Sequence, residues 1–137
     1  MEMGRESIDS KRARVLVSEY ESKREGEWSL QVLRAEWSRS LWAAVLERLE
    51  SHVPAKHPET VRLVHPAAGG REYFLKMYNC PGPSSAIKDV FRDSRALRAL
   101  KMSAALTAEG FLAPVAAAAG ERRRYGLLRQ AFLLTIG

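Results

Sequence analysis

Arg71-Glu72-Tyr73-Phe74-Leu75-Lys76-Met77-Tyr78 is an apolar, aromatic run that carries a single lysine. Side chains alternate along a strand, so Tyr73 and Leu75 share one face while Phe74 and Lys76 share the other. An ammonium among apolar neighbours is costly to bury unless it is paired or lies at a wet cleft. Two readings follow: a phosphate-binding lysine on a strand, or an edge-strand lysine that blunts aggregation.

Working outward, Thr60-Val61-Arg62-Leu63-Val64-His65 is a second alternating run, and Pro66-Ala67-Ala68-Gly69-Gly70 supplies turn residues between the two. This pattern predicts a β-hairpin. On the other side, Asn79-Cys80-Pro81-Gly82-Pro83-Ser84-Ser85 breaks the strand, and residues 86–109 have a helical composition. Ser84 or Ser85 would cap that helix and Gly110 would end it. Val90, Leu97, Leu100, Ala104 and Ala108 should face the sheet, leaving Phe91 and Met102 as an exposed patch. Two apolar runs follow, 114–119 and 127–135, separated by the turn-like Gly120-Glu121-Arg122-Arg123-Arg124-Tyr125-Gly126. The order is strand, strand with lysine, helix, strand, strand.

That order resembles the amino-terminal lobe of the protein-kinase-like fold. It is most similar to lipopolysaccharide kinases of the Kdo/heptose type, which phosphorylate inner-core sugars of a lipid A-linked saccharide. The residues that carry the resemblance span about 59–135: Glu59 to Val64, Tyr73 to Tyr78, Asp93 to Ala99, Ala108 to Pro114, Gly120 to Arg123 and Leu128 to Thr135. It implies that Lys76 takes the place of the kinase lysine that contacts nucleotide phosphates and pairs with a helix glutamate. The implied cofactor is ATP.

Three departures bear on activity. The helix position expected to hold the glutamate falls at or near Ala99, with no acid in its place. The segment Val53 to Glu59 contains no glycine, so no Gly-rich loop would cover a nucleotide. The sequence reaches Thr135-Ile136-Gly137 without a His-Arg-Asp type catalytic loop or an Asp-Phe-Gly type Mg²⁺ site. The expectation is therefore a truncated or degenerate lipopolysaccharide-kinase-like protein, inactive by itself. The alternative is a nucleotide- or partner-binding module that docks on a separate catalytic lobe.

Composition agrees with a globular α+β domain. The 137 residues are 46% hydrophobic and 8% aromatic, enough to bury one core. No apolar run approaches the roughly 20 residues of a membrane helix, and Met1 to Glu6 lacks the apolar core of a signal peptide. Cys80 is the single cysteine, which excludes an internal disulfide and makes a reducing cytoplasm the expected compartment. The three histidines, His52, His57 and His65, are too dispersed to argue a metal site.

The formal net charge is +6, and the basic residues cluster at Lys88, Arg92, Arg95, Arg98 and Lys101 and again at Arg122, Arg123, Arg124 and Arg129. They read either as solvated surface or as attraction to an anionic glycolipid at the inner membrane surface. Nucleic acid is disfavoured because no recognition helix or stacking motif is visible.

The expected architecture is an antiparallel sheet of about four or five strands, with the 86–109 helix on one face and a preceding amino-terminal helix. Residues 1–58 form an extension and 59–137 the kinase-like lobe. Within the extension, 13–20 reads as a strand, followed by a charged connection through Gly26. A helix is expected from Trp28 through Leu49, where Trp37, Leu41, Val45 and Leu49 recur every four residues.

Overall fold

The computed structural model describes residues 20–53, 57–65, 70–79 and 94–137. Their elements are β1 (Tyr20–Glu25), β2 (Trp28–Leu33), α1 (Arg39–Glu50), β3 (Glu59–His65), β4 (Arg71–Asn79), α2 (Arg95–Ala108), β5 (Ala116–Arg124) and β6 (Leu127–Ile136). The six strands form one antiparallel sheet in the order β1-β2-β5-β6-β4-β3. The class is α+β, with one strand more than the upper expected number.

The β3–β4 hairpin forms as the alternation predicts. β3 and β4 pair antiparallel, with Thr60 opposite Lys76 and His65 opposite Arg71. On β4 the alternation is complete: Tyr73, Leu75 and Met77 are buried, whereas Phe74 and Lys76 are exposed.

Two layers of apolar contact flank the sheet. On one face Leu41, Val45 and Leu49 of α1 pack with Trp28, Leu30, Val32, Leu63, Tyr73, Leu75, Phe132 and Leu134. The aromatic centre is tight: Trp28 lies 5.5 Å from Phe132 and 6.0 Å edge-on to Trp42, separations at which ring pairs attract. On the other face Ala96 and Leu100 of α2 meet Ala116, Ala119, Leu128 and Ala131. Small alanines let this helix approach the sheet closely.

The amino-terminal helix is shorter than expected. Trp28–Leu33 is strand β2, and the helix begins only at Arg39, capped by Ser38, whose hydroxyl accepts the Leu41 N–H. Trp28, Leu30 and Val32 alternate into the core, a period of two that overrides the four-residue stripe of 37–49. The charged connection before it is in fact strand β1 and a hairpin turn. Gly26 has φ of 60°, as the first central position of a tight primed turn requires. Of the expected strand 13–20, only Tyr20 lies within the described residues, where it opens β1.

A second correction concerns 120–126. Strand β5 runs through Gly120 to Arg124, and the turn is confined to Tyr125 and Gly126. Gly120 serves close packing: a Cβ there would overlap the Phe132 ring and come within 2.7 Å of Leu30.

The helix expected over 86–109 is α2, capped by Ser94, which accepts the Leu97 N–H at 3.2 Å. Residues 86–93, and with them Ser84, Ser85, Val90 and Phe91, lie outside the described residues, as does Cys80. Gly110 ends the helix with φ of 86°.

Candidate functional site

Lys76 is held by three strands. Its backbone neighbours are Thr60 on β3 and Leu133 on β6, so its side chain leaves the sheet on the face that carries α2. It is exposed, so no burial cost arises there. Its Nζ stands 5.3 Å from the centroid of the Tyr78 ring, a cation–π distance. Among the described residues no carboxylate lies within ion-pair distance of this ammonium.

Helix geometry fixes which flank of α2 looks toward Lys76. Leu97 lines a cavity with Ser22 and Gln31 of the β1–β2 hairpin, so that flank faces away from β4. At 100° per residue, Ala99 and Leu106 project from the opposite flank, on the β6 side, and Met102 points further out to solvent. Ala99, the position expected to lack an acid partner, thus lies on the lysine side. Met102 and Leu106 are exposed there, as is Phe74 on the adjoining strand. An ammonium beside an aromatic ring, with no carboxylate partner among the described residues, can accept an anion.

The expected basic surface is partly neutralised. Arg122 and Arg124 both reach Glu27, at 3.4 and 3.8 Å, and Arg123 pairs with Glu121 at 3.2 Å. Glu121 also accepts the Ser94 N–H at 2.7 Å, placing a carboxylate at the positive end of α2. Arg95 and Arg98 remain exposed along α2. Lys88 and Arg92 lie outside the described residues.

A polar cluster on the α1 face escaped the sequence reading. Glu36, in the turn after β2, is only 12% exposed at its side chain and receives Arg71 at 2.9 Å. The Tyr73 hydroxyl donates to the other carboxylate oxygen at 2.9 Å. Burial first, then this bond to an anion, pushes the Tyr73 phenol up from 10.0 to about 12. Beyond Arg71, His65 is 5% exposed, and its Nε2 lies 3.1 Å from Ser40 Oγ. The signal for this cluster was a tyrosine on the buried face of β4, since a buried phenol needs a partner. The partner's identity was not readable across 37 residues of sequence separation.

Among the described residues no three His, Cys, Asp or Glu side chains converge as metal ligands. Among the described residues no helix is long and apolar enough to cross a membrane. Comparisons with protein-family models, curated proteins and solved structures found no match.

Proposed function

We propose that this chain is a lipopolysaccharide-kinase-like lobe in which Lys76 contacts the phosphates of ATP. The observation that carries the reading is the placement of Lys76: on β4, between hairpin partner β3 and strand β6, facing the α2 side with no carboxylate partner among the described residues. An ammonium so placed stays available to a phosphate, to which it offers three donors.

Phosphoryl transfer needs more than this lysine. The reaction depends on a residue that orients the acceptor hydroxyl and on carboxylates that hold Mg²⁺. The aspartates of this sequence are Asp9, Asp89 and Asp93, and none stands in a His-Arg-Asp or Asp-Phe-Gly setting. The lobe therefore binds nucleotide weakly and does not transfer phosphate alone. The saccharide acceptor would be an anionic glycolipid, met at the inner membrane surface by Arg95, Arg98 and neighbouring cations of a protein otherwise cytoplasmic.

A second reading, a binding module that docks on a separate catalytic lobe, is favoured by the exposed Met102, Leu106, Phe111 and Leu112. Calorimetric titration with ATP separates the proposals from a bland strand lysine. Lys76→Ala should lower nucleotide affinity and leave the melting temperature nearly unchanged. Affinity indifferent to that substitution overturns the phosphate role.

A further inference from the structure

The α1 face holds a serine–histidine pair that the kinase-like reading does not use. His65 closes β3 with its ring buried on the α1 face, at 5% exposure. Its Nε2 lies 3.1 Å from Ser40 Oγ in the first turn of α1, within the reach a nucleophile and its base require. Ser40 itself is exposed. The hydroxyl is therefore open to a reagent while the base behind it is fixed.

The hydrogen bonds around Ser40 admit a direction that suits this role. The Leu41 N–H can only donate, and it donates to Ser38 Oγ at 3.1 Å. Ser38 Oγ is in turn 3.1 Å from Ser40 Oγ. A consistent chain runs from the Leu41 N–H to Ser38, from the Ser38 hydroxyl to Ser40, and from the Ser40 hydroxyl to His65 Nε2. In that sense Nε2 is the acceptor, as a general base must be. The first-turn N–H groups of α1 have no intrahelical acceptor, so positive partial charge lies close to the serine.

His65 Nδ1 is buried and has no hydrogen-bond partner among the described residues. Among the described residues no carboxylate completes a triad: Glu36 is occupied by Arg71 and Tyr73. The pair is a dyad whose base is oriented by packing and by its contact with Ser40. Without a carboxylate facing Nδ1, the imidazolium gains no stabilising counter-charge, which favours a slow reaction and a long-lived product.

We propose that Ser40 is a reactive hydroxyl, activated by His65, that takes an acyl group from activated carboxylic esters. Ser40 Oγ bonds to the ester carbonyl carbon as its proton passes to His65 Nε2. The ester C–O bond then breaks, and the departing oxygen recovers that proton. The product is an acyl-serine ester, with no change of oxidation state. The open setting suits small esters with good leaving groups. Hydrolysis of the product needs the same unassisted imidazole, so acylation outruns release.

The test treats the full chain with p-nitrophenyl acetate and maps acetyl groups by peptide mass spectrometry over time. Ser40 should be acetylated well ahead of the exposed serines Ser29, Ser38 and Ser51, with nitrophenolate release levelling near about one equivalent as in acyl-enzyme bursts. Ser40→Ala should remove that phase, and His65→Gln should slow it about a hundredfold or more, the usual scale of a general base. Acetylation of Ser40 at the rate of Ser29 in the unsubstituted chain overturns the proposal. So does a His65→Gln chain that keeps its melting transition and acylates Ser40 at the original rate.

Discussion

The Tyr73 hydroxyl donates a 2.9 Å hydrogen bond to Glu36 Oε2, tying the centre of β4 to the turn that launches α1. Because the phenol is buried and its acceptor is an anion, the neutral tyrosine is the form the fold prefers. Its pKa rises from 10.0 to about 12. A group raised in this way contributes stability in full below pH 10, and the contribution fades as pH climbs toward 12. Two pH units correspond to roughly 3 kcal/mol. Urea unfolding between pH 8 and pH 12 should show this loss in the native chain, with a flatter alkaline limb in Tyr73→Phe. Identical alkaline limbs would remove Tyr73 as the source.

Gly120→Ala should destabilise the sheet by about 1–3 kcal/mol, the usual cost of overpacking. The added Cβ would meet the Phe132 ring and Leu30 together, and both belong to the central core. A thermal melt unchanged from the native protein would show that the Phe132 ring can step aside.

With ATP, Mg²⁺ and a saccharide acceptor, the isolated chain should produce no phosphorylated sugar above a blank. The expectation rests on the missing base and metal carboxylates, since positioning and charge neutralisation supply nearly all the rate in this chemistry. Turnover by the purified chain would contradict it outright.

Anionic vesicles should retain the protein at low salt and release it as ionic strength rises, because exposed charges are screened beyond about 8 Å at physiological salt. Charge reversal at Arg95 and Arg98 should weaken retention more than reversal at Arg122 and Arg124, which already face Glu27. Equal retention on neutral and anionic vesicles would identify these residues as ordinary solvated surface.

Local periodicity made the β3–β4 hairpin legible: Leu63, Tyr73 and Leu75 alternate with exposed neighbours, and one buried face leaves a single workable register. The helix of 39–50 was visible for the same reason, through Leu41, Val45 and Leu49. What misled was adjacency. Trp28 to Val32 alternates with period two and runs straight into a stretch of period near four, and a window spanning both averages toward helix. Gly120 misled differently, since a glycine within a strand looks like a turn until the Phe132 ring it accommodates is known. Of the candidate site, the strand and face of Lys76 were readable in advance. The Glu36–Arg71–Tyr73 and Ser40–His65 contacts were not, because each joins residues from elements far apart in the chain.

The strand order has a consequence for how the protein comes into being. The hairpins β1–β2 and β3–β4 have no hydrogen bond to one another in the sheet, where β5 and β6, made after both, lie between them. On the ribosome, two ribbons with open edges must therefore wait until the β5–β6 hairpin emerges and slots between them. Assembly is governed by long-range closure, which is slow and exposes strand edges to other chains. A chain cut before residue 116 would leave the two ribbons without the strands that join them in the sheet.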